Sequence, residues 1–276
     1  MQRTAPLAGP LCTHSSLAAD LRSIGVNHNS ILLVHSSLSA LGFVCGGAEI
    51  VVRALLEVLR DNITDTQGTL VVPTQSGDNS NPASWQHPPV PSAWWPMICA
   101  SMPPYDPRTT RTRSMGVIAE TVRTWPGAVR SAHPQTSFAA IGPQAREIMD
   151  GHTLDCMLGE RSPLAKLEER DAKVLLLGVG WDVCTAFHLA EYRIKVPAIE
   201  NNSFAVMTKK GREWMTVRDV SVNGDDFGEM GESFESEGFV LRGRVGGADA
   251  RLFLLGDAVR YAESWLPLHR PSITKS

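Results

Sequence analysis

The chain has little net charge of either sign: its 276 residues carry a formal charge of −3 at pH 7. Proteins that bind nucleic acid neutralise phosphates with Lys and Arg, so the missing basic excess argues against a nucleic-acid partner. A small cationic ligand suits this balance better. The sequence also lacks an apolar run near the ~20 residues of a membrane span and has no signal-peptide pattern at its N-terminus. We therefore expect no membrane association and a cytoplasmic location.

Closely spaced cysteines are absent as well. The five cysteines, Cys12, Cys45, Cys99, Cys156 and Cys184, are scattered and odd in number. We expect reduced thiols, without a structural zinc or a thioredoxin-like redox site. Neither G-x-x-x-x-G-K nor G-x-G-x-x-G occurs, which excludes the common nucleotide-binding fingerprints. We predict no metal site.

What the sequence does contain is an alternation of short apolar strands and amphipathic helices. Strands are predicted at 31–34, 69–73, 137–141 and 173–179, and helices at 48–59, 117–124, 143–149 and 257–266. This alternation predicts an α/β fold with a central, largely parallel or mixed sheet flanked by helices. A hairpin around 209–211 and strands at 239–245 and 250–254 predict a smaller C-terminal α+β part. We predict a tail over 1–15 and a single domain over 16–276.

The segment 78–113 interrupts this pattern with many prolines and with the aromatic residues Trp85, Trp94, Trp95 and Tyr105. The prolines forbid long regular elements, and the tryptophans argue against disorder. We predict an ordered loop that walls a pocket. The alternative is a loop that only packs over the sheet.

Four chemically active residues follow the strand 173–179 at three-residue intervals: Asp182, Thr185, His188 and Glu191. A helix from Thr185 would place the last three along one stripe, beyond the carboxyl end of a strand, where α/β sheets usually bind ligands. Histidine titrates near neutral pH and a neighbouring carboxylate can orient it, so we predict an acid/base site. Each residue alone also has a structural alternative, as a helix cap, a surface acid or a core histidine.

Three further groups of polar residues are candidates for ligand binding. The segment 34–42 leaves the first core strand ahead of Gly46 and Gly47, where hydroxyls and backbone amides suit an anion. A cationic set that could hold phosphate groups comprises Arg111, Arg113, Arg130 and His133. Six acids at 225–237, with no Lys or Arg among them, would attract a polyamine. Each group also has a structural alternative: an ordinary polar turn for 34–42, surface arginines for the cationic set, and a solvated helix face for the acids.

Together these stretches resemble the aminoglycoside 3-N-acetyltransferase family, which transfers an acetyl group from acetyl-coenzyme A to the 3-amino group of 2-deoxystreptamine antibiotics. The resemblance covers nearly the whole chain and rests on residues 34–42, 68–78, 88–116, 130–140, 175–191 and 238–253. It implies the antibiotic N-acetyltransferase fold, antibiotic resistance as the function, and acetyl-coenzyme A and a cationic aminoglycoside as the two substrates. A homodimer is a candidate assembly.

The resemblance also assigns roles to residues. His188 matches the catalytic base, Thr185 a hydroxyl near the thioester, and Glu191 and Asp182 acids of the same motif. The residues implied to surround coenzyme A are His35, Ser36, Ser37, Leu38, Arg113, Ser114, Met115, Gly116, Val117, Arg130, Ser131, Ser137 and Phe138. Those implied to line the antibiotic site are Asp78, Asn79, Trp85, Tyr105, Asp106, Glu120, Asp225 and Asp226.

One departure from the family pattern is Ser114, which stands where we expect glycine. The expected mechanism is direct transfer with His188 as general base, oriented by Glu191 first and Asp182 second. Three alternatives stay open: acylation of another amine, a hydrolase built on Cys184 and His188, and a protein that only sequesters cationic ligands.

Overall fold

A computed structural model describes residues 9–61 and 63–270 of the chain. The strands are β1 (Leu11–Cys12), β2 (Ile31–Ser36), β3 (Phe43–Val44), β4 (Arg60–Asp61), β5 (Thr66–Gln67), β6 (Thr69–Pro73), β7 (Val129–Arg130), β8 (Phe138–Ile141), β9 (Lys173–Leu177), β10 (Ile199–Thr208), β11 (Gly211–Val220), β12 (Leu241–Val245) and β13 (Ala248–Leu254). The α-helices are α1 (His14–Ser23), α2 (Gly47–Val58), α3 (Trp95–Ser101), α4 (Gly116–Arg123), α5 (Ala145–Met149), α6 (Pro163–Glu168), α7 (Phe187–Glu191), α8 (Phe227–Ser236) and α9 (Leu255–His269).

A seven-stranded sheet in the order β12-β13-β9-β2-β6-β8-β7 forms the centre of the fold. β2 pairs in parallel with β6 and β9, and the other pairings within this sheet are antiparallel. The predicted mixed α/β sheet is confirmed, and its parallel part is the three apolar central strands. Such runs are buried on both faces, as parallel strands usually are.

Successive residues of the central strands point to opposite faces of this sheet, so they build two separate hydrophobic cores. On one face Leu33, Val71 and Leu176 pack with α5 to α9, and on the other face Leu32 and Leu70 pack with α1, α2 and α4. The carboxyl ends of β2, β6 and β9 lie at one edge, because the three strands run in the same direction. The loops that leave this edge carry the candidate site.

Most predicted elements occur within a few residues of their expected bounds, and the exceptions have local causes. Ordered structure begins before residue 15, since Leu11–Cys12 pairs with β3 and Thr13 caps α1 in a capping box with Ser16. Pro143 does not open α5, whose first residue is Ala145. Residues 1–8 of the predicted tail and residues 271–276 of the predicted domain lie outside the described part.

The predicted loop 78–113 contains short helical turns at Pro82–Ser84, Ser92–Trp94 and α3. The hairpin is longer than predicted: β10 and β11 pair over their full lengths as a separate two-stranded sheet. Asn79 joins loop and hairpin, because its side chain accepts from the Ala205 amide (2.8 Å) and donates to the Ala205 carbonyl (2.9 Å). The loop is thus anchored on β10.

We predict that Gly231→Ala destabilises the fold whereas Gly228→Ala on the same helix does not. A Cβ atom at position 231 would lie 2.1 Å from the buried Trp181 side chain, whereas nothing lies within 4 Å of one at position 228. Overpacking of this kind costs about 1–3 kcal/mol, and alanine is the better helix former at the open position. Urea titration of both variants measures the free energies of unfolding, and equal values for the two would contradict the packing.

Candidate active site

A cavity of about 870 Å³ opens at the carboxyl ends of β2, β6 and β9. This volume lies within the range of about 300–1,000 Å³ that is usual for small-molecule sites. The cavity is lined by residues 34–39, 42–44, 47, 73, 75, 114–117, 119, 179, 182, 183, 185 and 188. Of the predicted coenzyme A residues, the structure brings together here His35, Ser36, Ser37, Leu38, Ser114, Met115, Gly116 and Val117.

Two helices begin at the cavity wall, since Gly47 is the first residue of α2 and Gly116 the first of α4. In the described structure neither helix has a side-chain N-cap. The first amides of a helix have no partner within it and carry partial positive charge, so this wall suits anionic and carbonyl groups. Ser114 has φ +58°, a left-handed conformation that explains why glycine is expected at this position.

His188 and Glu191 form a hydrogen-bonded pair on α7. The distance from His188 Nδ1 to Glu191 Oε2 is 2.6 Å, and the His188 ring contacts that of Phe227 at a centroid distance of 4.6 Å. Glu191 is only 1% exposed, while His188 lines the cavity. Because Nδ1 donates its proton to the carboxylate, a neutral His188 has its lone pair on Nε2. The pair therefore has the geometry of an oriented general base.

The second oxygen of Glu191 is held from two distant segments. Oε1 accepts a hydrogen bond from the backbone amide of Asn223 (2.9 Å) and an ion-paired one from Arg270 Nη1. Sequence reasoning missed both residues. The Arg270 guanidinium also bonds both oxygens of Asp226, with Nε 2.6 Å from Oδ2.

Thr185 faces the cavity beside a fully buried histidine. Its hydroxyl oxygen lies 3.2 Å from His35 Nε2. Burial first, and the nearby His188 second, lower the pKa of His35 to about 3, so this ring is neutral at physiological pH. The Thr185 hydroxyl is thus fixed by a neutral partner.

The four motif residues do not form the single helical stripe that their spacing predicts. A 3-10 turn covers Trp181–Val183, and α7 begins only at Phe187, so Thr185 lies in the connection between the two. Asp182 is exposed on the cavity wall. The carboxylate that contacts His188 is that of Glu191, the first of the two predicted orienting acids.

Arg130, Ser131, Ser137 and Phe138 lie elsewhere, in a buried network. Arg130 Nε donates to Thr74 Oγ1 (3.1 Å) and Ser137 Oγ (3.0 Å), and its guanidinium stacks 5.1 Å from the Tyr105 ring centroid. Ser131 Oγ lies 2.9 Å from His152 Nδ1, and Phe138 belongs to the core. Their polar groups bond within the protein, and none of the four residues lines this cavity. Arg113 is exposed, with Nε 3.4 Å from Asp78 Oδ1.

Several residues predicted to bind the antibiotic are also engaged within the protein. Asn79 holds β10, Trp85 Nε1 donates to Ser80 Oγ (2.8 Å), and the Tyr105 hydroxyl donates to the Ser131 carbonyl (2.7 Å). The acids occur as ion pairs with arginine: Asp78–Arg113, Asp106–Arg108, Glu120–Arg123 and Asp226–Arg270. Asp225 is exposed and has no ion-pair partner among residues 9–61 and 63–270.

The pKa values of two of these acids reflect their pairing. Burial disfavours the charged form of Glu120, but hydrogen bonds from Arg123 and Thr112 outweigh it and lower the pKa to about 2. The hydrogen bonds from Arg270 lower the pKa of Asp226 below its usual value. Both groups are therefore anions already matched by an internal cation.

Cys184 is fully buried, and burial raises the pKa of its thiol to about 12. A reactive cysteine needs an accessible thiolate, so the Cys184–His188 hydrolase is not supported. The described residues contain no group of three or more His, Cys, Asp or Glu side chains that could hold a metal ion. None of the described helices is long and apolar enough to cross a bilayer.

An oriented imidazole, a fixed hydroxyl and an amide-rich cavity together are typical of the active site of a group-transfer enzyme. Residues 33–267 match the family model for aminoglycoside 3-N-acetyltransferase. The chain is 42% identical to the SPbeta prophage-derived aminoglycoside N(3')-acetyltransferase-like protein YokD of Bacillus subtilis over 92% of each chain. It is 34% identical to aminoglycoside N(3)-acetyltransferase III of Pseudomonas aeruginosa over 92% of this chain and 93% of the relative.

Solved structures agree with these matches. The crystal structure of YokD superposes with a TM-score of 0.88 at 41% identity, covering 95% of this chain and 94% of that one. A binary complex of AAC-IIIb with CoASH superposes with a TM-score of 0.80 at 29% identity, covering 94% of this chain and 97% of that one. The structure of AAC-VIa bound to sisomicin superposes with a TM-score of 0.80 at 30% identity, covering 93% of this chain and 98% of that one. The chain belongs to the aminoglycoside 3-N-acetyltransferase family and is an acyltransferase.

We predict that a thiol reagent labels Cys45 in the folded protein and leaves Cys184 unmodified. Cys45 is exposed, whereas Cys184 is buried with a strongly raised pKa. Mass spectrometry after brief iodoacetamide treatment, with and without urea, measures both sites. Cys184→Ala should retain acetyl transfer. Loss of transfer in a folded Cys184→Ala protein would instead support the hydrolase alternative.

Proposed function

We propose that this enzyme transfers the acetyl group of acetyl-coenzyme A directly to the 3-amino group of 2-deoxystreptamine aminoglycosides, with His188 as general base. The observation that carries the proposal is the His188–Glu191 hydrogen bond at the cavity wall, because it leaves Nε2 as the basic atom. The CoASH and sisomicin complexes of the two solved neighbours support both substrate classes. The cytoplasmic location and the homodimer stay predictions.

The cavity wall formed by 34–39 and 114–117 fits coenzyme A. It offers serine hydroxyls and the unpaired first amides of α2 and α4, which are donors for the phosphate and amide oxygens of such a molecule. Leu38, Met115 and Val117 add apolar contacts beside these donors. In our proposal this wall binds acetyl-coenzyme A so that its thioester lies near Thr185 and His188.

His188 would act on the acceptor amine. An ammonium has no lone pair, so it must lose a proton before its nitrogen attacks. His188 Nε2 accepts that proton, the nitrogen forms a bond to the thioester carbonyl carbon, and the carbon–sulfur bond breaks. The imidazolium then gives its proton to the departing sulfur, and the attacking nitrogen, which still carries one proton in excess, releases it to water, leaving a neutral amide and a free thiol. Glu191 stabilises the imidazolium through the Nδ1–H bond and keeps the ring in place.

Thr185 would stabilise the charge that develops on the carbonyl oxygen. If His35 carries its proton on Nε2, it donates to Thr185 Oγ1, and the threonine hydroxyl proton is then free to bond the oxyanion. Because the pKa of His35 is low, its ring stays neutral throughout the reaction. The hydroxyl is therefore oriented before the substrates bind.

Asp225 is the acid that we propose for capturing the antibiotic. It is exposed, whereas the neighbouring Asp226 is bound to Arg270 and less available to an incoming ammonium group. Asp78, Asp106 and Glu120 are paired with arginines as well. Attraction of a polycation through Asp225 is a surface interaction, which salt screens.

We predict that His188→Ala lowers kcat by about 10²- to 10⁴-fold, the usual contribution of general-base catalysis. The measurement is release of the coenzyme A thiol with gentamicin, kanamycin and an aminoglycoside that lacks an accessible 3-amino group. His14→Ala removes a half-buried histidine outside the cavity wall and serves as the matched control. Transfer that persists in His188→Ala would exclude this base, and transfer to none of the antibiotics would point to another amine. Antibiotic binding without acetyl transfer would indicate sequestration.

We predict that Asp225→Asn raises KM for the antibiotic by about fivefold at low ionic strength and leaves kcat nearly unchanged. An exposed ion pair contributes up to about 1 kcal/mol, which corresponds to that factor. The difference should shrink as salt is added. Glu169→Gln, at an exposed acid outside the cavity wall, is the control. A KM that is the same in Asp225→Asn and wild type at low salt would remove Asp225 from the acceptor site.

A further inference from the structure

Arg270 follows the last residue of α9 and reaches the His188–Glu191 pair from this second helix of the same core. Its guanidinium bonds Glu191 Oε1, the Asn223 carbonyl and both oxygens of Asp226. The end of α9 is itself fixed, because His269 stacks on Trp265 at 3.8 Å and the Arg270 amide donates to the Leu266 carbonyl at 2.9 Å. The helix therefore delivers the guanidinium to a defined place.

Glu191 needs such a partner. A carboxylate that is 1% exposed is costly to ionise unless a cation or several hydrogen bonds compensate for the lost water. Within the described structure, Arg270 supplies the cation and the Asn223 amide one further bond. For the arginine, burial alone would lower the pKa, but Asp226 and Glu191 outweigh it and raise the pKa above its usual value.

We infer that Arg270 is a positioning residue for catalysis: it binds Glu191 Oε1 so that Oε2 faces His188, and it balances the charge that Glu191 presents to the imidazole. The inference depends on the proposed role of His188 as base. Arg270 lies beyond residues 33–267, the segment that matches the family model, so the family match itself does not account for this residue.

The charges around His188 determine the expected effect. Among the described residues, His35 from β2 interacts electrostatically with His188, Asp182 lines the same cavity, and Arg270 bonds Glu191. Asp226 at the start of α8 also binds Arg270 and is influenced in turn by His269. Arg270 is the permanent cation among them. Without it, Glu191 and Asp226 are both uncompensated, and the protonated form of His188 becomes more stable.

The experiment compares the pH dependence of kcat/KM in wild type, Arg270→Ala, Arg270→Lys and Arg260→Ala. In Arg270→Ala we expect the acidic limb to move to higher pH by about one unit, the lower end of the effect of an adjacent charge, together with a fall in kcat. Arg270→Lys should restore the position of the limb but only part of kcat, because an ammonium cannot bond Glu191 and Asp226 as a planar guanidinium does. Arg260→Ala removes an exposed arginine of the same helix and should match wild type.

Other outcomes would overturn the inference. An unmoved acidic limb in Arg270→Ala, or a limb displaced equally in Arg270→Lys, would show that the charge of Arg270 does not act on His188. A change confined to KM for the antibiotic would place Arg270 in acceptor binding. If Arg270→Ala fails to fold, Asp226→Asn is measured instead, because it weakens the ion pair that holds the guanidinium in place. We expect kcat of Asp226→Asn to fall moderately below that of wild type, and an unchanged kcat would contradict the positioning role of Arg270. Failure of the proposed function is separate, since wild type would then be inactive or independent of His188.

Discussion

The buried carboxylate of Glu191 is the constraint on which the active site depends. One oxygen orients the imidazole, and the other is held by a loop amide before α8 and by the guanidinium at the end of α9. Three segments that are far apart in the chain must therefore meet within hydrogen-bond distance of a single side chain. A buried anion in this place needs these partners to compensate for the lost water, so the His188–Glu191 pair depends on the packing of the segments around Asn223 and Arg270.

The acids predicted to bind the antibiotic are less available than the sequence indicates. The sequence predicts a set of acids that could bind a cationic ligand, yet four of these candidate acids carry an arginine partner in the folded chain. Net attraction for a cation depends on the unpaired charge, which here is much smaller than the formal count. In the proposed acceptor site, the arginines therefore limit which of the acids can bind a cation.

Local features of the site could be predicted from the sequence, and long-range ones could not. The apolar run before Gly178 predicts β9, and the spacing of His188 and Glu191 on a helix predicts their contact, because both depend on neighbouring residues. The sequence also places the loop after β2 at the correct edge of the sheet. By contrast, the bond between Arg270 and Glu191 joins residues 79 positions apart, and no local periodicity encodes it.

The same limit applies to residues 130–138, which the sequence predicts near coenzyme A and which the structure places outside the lining of this cavity. Residues 130–138 are rich in hydrogen-bonding side chains, which is as typical of a binding loop as of a buried polar network. Only the fold shows that the Arg130 guanidinium donates its hydrogen bonds to Thr74 and to carbonyls of the 107–110 loop. Ser114 is the opposite case, since its left-handed backbone gives a physical meaning to a substitution that was visible in the sequence.

The two hydrophobic cores divide the active site between the faces of the sheet. The helices whose N-termini face the cavity, α2 and α4, belong to one core, and the elements that carry His188, Asp225 and Arg270 belong to the other. A substitution that repacks one core changes the cavity wall formed by the helices of that core. It affects the opposite wall only through the strands that separate the two cores. In the proposed arrangement, changes confined to the core of α7 to α9 therefore alter the acceptor side while the wall proposed for the acyl donor keeps its shape.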